Sequence, residues 1–130
     1  MNERVAKLTA KWWRKKLECC HHDNGDTSSS SSFACFMADM LAQKHAPTKS
    51  QLDIFENELT RLIMESKMFN VYLRCDYNPC QMLSDAAEVA NINPCCFPFK
   101  TNTSTIEDRV EVSDGYCAKW VEISESDLAQ

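Results

Sequence analysis

The sequence predicts an α+β fold, with N-terminal helices packed on one face of a small antiparallel sheet that ends in a β-hairpin. Three observations lead there. Apolar residues recur at helical spacing in segments before residue 65, the period drops to two between Phe69 and Asp76, and a second alternating region past residue 109 brackets an Asp-Gly pair. A chain of 130 residues that is 44% apolar and 25% charged, with 2 Gly and 4 Pro, fits one globular domain and excludes collagen, a coiled-coil rod and wholesale disorder.

Taken in order, Val5, Leu8, Trp12, Trp13 and Leu17 recur at three and four residues and give a short amphipathic helix with basic residues on its other side. We read residues 1–20 as a basic helical arm. Residues 21–32, with Asn24-Gly25-Asp26 and a run of serines, have no period and form a linker. The compact α+β domain then covers 33–130. Phe33, Phe36, Met37, Met40 and Leu41 define a buried helical stripe that Pro47 ends, and Thr48 with Gln51 has the form of a capping box for the stripe Leu52, Phe55, Leu59, Leu62 and Ile63. The two helices make a helical hairpin.

Phe69, Val71, Leu73 and Cys75 alternate with polar residues as one face of a strand. Asn78 caps the next helix with Pro79 at its first position, Met82, Leu83, Ala86, Ala87 and Ala90 form its apolar side, and Asn91 suits a left-handed stop. The run Cys95 to Lys100 contains Pro98 and belongs at a sheet edge or the start of a strand, and Thr103 to Ile106 gives a short strand. Asp114-Gly115, between Val110–Ser113 and Tyr116–Ile123, predicts a type I′ hairpin.

Charge divides the chain. Residues 1–18 carry six basic residues against two acidic, +4, whereas the rest carries −9, for a total of −5. A basic arm on an acidic body docks on that body, on a second copy to give a homodimer, or on an anionic partner. No apolar stretch reaches the roughly 20 residues needed to cross a bilayer and the N-terminus lacks the apolar core of a secretory signal, so a cytoplasmic protein without a membrane partner is expected. Eight cysteines in that compartment are expected as reduced thiols. None forms a C-x-x-C pair, so no metal or other cofactor is expected, and Cys19-Cys20-His21-His22 is the best metal candidate if one exists.

Catalytic chemistry finds little support. The histidines are His21, His22 and His45, two of them in the linker, and Gly25 and Gly115 cannot build a glycine-rich phosphate cradle. Direct nucleic-acid binding by the arm is disfavoured, because the acidic body repels phosphate. Two sets of residues compete as a site. Glu107, Asp108, Glu111, Asp114 and Glu122 form an acidic hairpin and tail that imitates a phosphate track and fits a basic groove, with Trp12 and Trp13 as further partner-binding residues; a solvated, charge-protected sheet edge is the competing explanation of the carboxylates. The alternative is a small-ligand site or enzyme beside the sheet, built from Asp76, Tyr77, Lys100, Arg109 and Tyr116.

The segment Phe97-Pro98-Phe99-Lys100-Thr101, followed by Val110-x-Val112 and Gly115-Tyr116-Cys117-Ala118, resembles a pattern in small uncharacterised accessory proteins of phages and mobile elements, over the last third of the chain. The chain departs from it with Cys117 in place of glycine. The resemblance implies no catalytic residues. It implies a small non-enzymatic inhibitor that counters host defence, of the anti-CRISPR kind, whose partner is a host protein or nucleoprotein complex that targets nucleic acid.

Overall fold

The computed structural model describes residues 2–18, 47–66, 68, 70–76, 78–98, 100–115 and 119–128. The expected linker 21–32, the Phe33–Leu41 stripe and its helical hairpin, the Cys19–His22 cluster, His45, Phe69, Tyr77, Phe99 and Tyr116 to Ala118 lie outside them. Helix α1 (Glu3–Glu18) is followed by α2 (Lys49–Glu65), strand β1 (Val71–Cys75), α3 (Gln81–Ala90), a 3₁₀ turn (Pro94–Cys96), strands β2 (Thr101–Ile106), β3 (Arg109–Asp114) and β4 (Val121–Ile123), and the one-turn helix α4 (Glu125–Leu128). The strands form one antiparallel sheet in the order β1-β2-β3-β4. The fold is α+β.

Local chemistry sets the helix ends. The Thr48 hydroxyl accepts from the Gln51 N–H at 3.2 Å and the Gln51 side chain accepts from the Thr48 N–H at 2.9 Å, the expected reciprocal cap. Gln51 also donates through Nε2 to the Asn91 carbonyl at 2.7 Å, tying the start of α2 to the end of α3. Asn91 adopts φ 59° and ψ 41°. Its N–H reaches Glu88 O and the Ile92 N–H reaches Ala87 O, a Schellman ending in which buried Ile92 follows the left-handed residue. The start of α3 corrects the expectation: Cys80, not Asn78, is the N-cap residue, and Pro79 forms a bridge with Cys75. The Cys80 N–H donates to Arg74 O at 2.9 Å, so the chain stays extended beside β1 for two residues more before it coils.

Of the dockings the sequence leaves open, helix α1 takes the one on its own body and becomes part of the core. Val5, Ala6, Leu8, Ala10, Trp12, Trp13 and Leu17 are all buried, and the helix packs along α2, on β2 and β3, and against α4. Trp13 stands edge-on to Trp12 and to Phe97, which in turn meets Phe55. Phe97 reaches that position because residues Pro94–Cys96 form a 3₁₀ turn, and the run then enters β2 at Thr101.

The inner face of the sheet carries Val71, Leu73 and Cys75 of β1, Thr101, Thr103 and Thr105 of β2, and Val110 and Val112 of β3, all buried. Buried hydroxyls need partners. The Thr105 hydroxyl pairs with that of Thr9 at 2.6 Å, and Thr103 Oγ1 accepts from Trp13 Nε1 at 3.0 Å. This seam fastens α1 to the middle of the sheet. Strand β2 is longer than the expected 103–106 because its buried face is threonine, which no apolar alternation reveals.

The Asp114-Gly115 hairpin is also corrected. Strand β3 meets β4 through Val112↔Val121 and Val110↔Ile123, so the connection between them runs over residues 115–120 and is no two-residue turn. Gly115 takes φ 117°, and its N–H donates to Lys100 O. The two-residue turn is instead Glu107-Asp108, between the paired Ile106 and Arg109. Neither turn residue has positive φ, so it is not the type I′ turn that an Asn-Gly or Asp-Gly signal would announce.

Candidate functional site

Since the helices cover the inner face, the outer face of the sheet is where side chains meet solvent. Register sets one row across it: Tyr72 opposite Ser104, Ser104 opposite Glu111, and Glu111 opposite Glu122. The next row holds Arg74, Asn102 and Ser113. Trp120, at the start of β4, leans over this face and its ring lies 5.9 Å from that of Tyr72 at 49°. Both rings remain almost half exposed, Tyr72 at 48% and Trp120 at 45%. Ser104 and Ser113, on this otherwise open face, are buried, and Ser104 donates to Asn70 at 2.9 Å.

One end of the sheet is acidic. Glu107 and Asp108 form the exposed β2–β3 turn, Glu122 lies on β4, and Glu125 and Asp127 belong to α4. Arg4 joins these elements, with one guanidinium nitrogen on Glu125 Oε1 at 2.8 Å and the other on Asp108 O at 3.0 Å. That ion pair holds the Glu125 carboxyl below its ordinary range, and a backbone hydrogen bond adds to the effect. Arg109 approaches Glu111 at 3.9 Å. Asp114 does not belong to this group. It sits at the other end of β3, where it is paired with Lys16.

Much of the basic face of α1 is paired within the molecule. Arg14 binds Asp53 at 2.6 Å, Glu56 at 3.0 Å and Glu18 at 3.2 Å, Lys7 pairs with Glu3 at 3.0 Å, and Lys16 lies over the Trp12 ring at 5.2 Å as well as on Asp114. Desolvation works against the Arg14 charge, but its three carboxylate partners prevail and raise its pKa. The expectation of Trp12 and Trp13 as partner-binding residues is corrected: they are 6% and 0% exposed, and the apolar contacts of the core explain both.

The alternative ligand site is divided. Asp76 and Lys100 are adjacent, with the Lys100 N–H on Asp76 O at 3.2 Å, but Arg109 is at the opposite end of the sheet, and Tyr77 and Tyr116 lie outside the described residues. A shallow cleft of about 360 Å³ next to Asp76 is lined by Arg74, Asp76, Asn78 and Cys80. Behind it, burial pushes the Cys75 thiol up to about 11, with smaller contributions from Cys80 and Asp76, so Cys75 is a poor nucleophile. Cys75, Cys80 and Cys96 are free thiols. Among the described residues, no three His, Cys, Asp or Glu are grouped to hold a metal, and no helix is long and apolar enough to cross a membrane.

Sequence reasoning missed Tyr72 and Trp120. Tyr72 occupies a polar-side position of an alternating strand, and Trp120 falls in the expected Tyr116–Ile123 arm of a hairpin whose register differs. The signal available was a large aromatic on the solvent side of β1. Comparison with protein-family models, with curated proteins and with solved structures returns no match to this chain.

Proposed function

We propose that this chain is a small non-enzymatic binding protein whose acidic sheet end occupies a basic groove of a partner, in the manner of an inhibitor that competes with nucleic acid. One observation carries this reading. Glu107, Asp108, Glu111, Glu122, Glu125 and Asp127 gather towards one end of the sheet with Arg4 and Arg109 as the basic groups paired there among the described residues, while Lys7, Arg14 and Lys16 of α1 are turned onto the chain's own carboxylates. Such a surface repels phosphate and attracts a nucleic-acid-binding groove. Its resemblance to phage and mobile-element accessory proteins supports a host nucleic-acid-targeting complex, of the CRISPR effector class, as the partner, and hence action in the cytoplasm.

Titrating the chain into guide-loaded effectors with a fluorescent target duplex tests this. Stoichiometric loss of DNA binding by at least one effector is expected, reversed by the combined Glu107→Lys and Asp108→Lys change. A panel of effectors that all keep full DNA binding at tens of micromolar chain would overturn the inhibitor reading.

A further inference from the structure

We propose that the outer face of the sheet is a docking site for an arginine- or lysine-rich segment of a partner protein, with the Tyr72–Trp120 pair as its aromatic anchor. The inference rests on the binding reading above and places the contact on particular residues. Three observations carry it. Tyr72 and Trp120 stay nearly half exposed although their rings meet, and they form a tilted pair open to solvent on a face that no described helix covers. Glu111 and Glu122 are directly opposed in the same row of the sheet, an arrangement of like charges that costs stability in the free protein and is relieved by a cation placed between them. Arg109 stands 3.9 Å from Glu111, and Glu122 is exposed.

Aromatic faces attract guanidinium and ammonium groups, most strongly when an aromatic pair partly removes water from the cation. Strands lie about 4.8 Å apart, so the row from Tyr72 on β1 to Glu122 on β4 spans about 14 Å, which an extended segment of four or five residues covers. A basic segment laid across the strands therefore places one cation on the rings and another on the glutamates. Arg74, in the next row and at the cleft with Asp76, orients the segment by keeping its cations on the Glu111 side. Nucleic acid would also find aromatic rings here, but its phosphates would face Glu111 and Glu122.

Calorimetry on the full chain with octa-arginine at low salt tests the site, with octa-glutamate and oligothymidine as controls. Octa-arginine should bind alone of the three. Trp120→Ala and Tyr72→Ala should each weaken it about tenfold, and Glu111→Gln with Glu122→Gln should weaken it and flatten its dependence on salt. The substituted side chains are exposed or half-exposed, and an unchanged melting temperature checks that each variant is folded. Affinity unchanged in Trp120→Ala and Tyr72→Ala but lost in the Glu107→Lys and Asp108→Lys variant would overturn this site and leave the acidic-surface reading standing. Oligothymidine binding that depends on Trp120 would overturn the site in favour of a nucleic-acid platform, and absence of octa-arginine binding would overturn it outright.

Discussion

Trp13 donates its indole N–H to Thr103 Oγ1 deep in the core, and that pairing decides what a substitution there does. Trp13→Phe keeps most of the apolar volume but strands a buried hydroxyl, so a loss of about 1–3 kcal/mol is expected. Adding Thr103→Val removes the stranded group, and the double variant should recover much of the loss in a denaturant melt. Strict additivity would contradict the hydrogen-bonded seam. Cys75 provides a pH readout. Its thiol is raised from 9.0 to about 11, so the unfolded chain releases that proton first. The stability it contributes is complete below about pH 9 and is lost as pH climbs from 9 to 11. Cys75→Ser should abolish that decline, and a decline of the same size in the variant would assign it elsewhere. These residue-level features were partly legible. The stripe Val5, Leu8, Trp12, Trp13 and Leu17 announced burial, and Thr103 to Ile106 a strand, but not that Thr103 and Thr105 face the core, because hydropathy cannot tell a solvated hydroxyl from one satisfied by an indole.

At the scale of elements, sequence signals worked where the chemistry is local. Thr48 and Gln51 cap α2 as their spacing requires, and Asn91 ends α3 in the left-handed conformation that a short amide side chain tolerates. Thr48→Ala should cost about 1 kcal/mol, visible as a drop of a few degrees in Tm with the fold unchanged. Signals failed where tertiary pairing overrides local preference. Asp114-Gly115 has the composition of a tight turn, yet β4 pairs further along, and Glu107-Asp108 makes the tight turn with no glycine at all. The one-turn α4, closed by the Asp127 carboxylate on the Ser124 N–H at 2.7 Å and anchored by buried Leu128, is too short to show a period. Helix α1 was legible as a helix with a buried face, but whether that face meets this body or a second copy was not. Each large apolar side chain it buries contributes about 1.5–3 kcal/mol, against a typical total stability of about 5–15 kcal/mol. Deleting residues 1–18 should therefore abolish the cooperative thermal transition, and a truncated chain that still melts cooperatively would refute the integral role of α1.

For the whole molecule, the division of charge seen along the sequence becomes a division of labour in space. The +4 segment lies against the acidic body, with Arg4, Arg14 and Lys16 on Glu125, Asp53, Glu56 and Asp114, and among the described residues one outward surface is a carboxylate-rich sheet end beside an aromatic pair. The sequence showed the carboxylates but could not show which would be neutralised from within, since Lys16 and Asp114 are 98 residues apart. Exposed ion pairs add little stability individually, so their main effect is on what the surface presents to a partner. The most direct measurement of that effect is fluorescence anisotropy of labelled octa-arginine and labelled oligothymidine, each titrated with the unmodified full chain from about 50 to 300 mM salt. Octa-arginine should bind and weaken steadily as salt rises, because screening reduces attraction between exposed charges, while oligothymidine stays free throughout. Tight oligothymidine binding, with octa-arginine left unbound, would mean that the cations of α1 are the functional surface and would contradict the account.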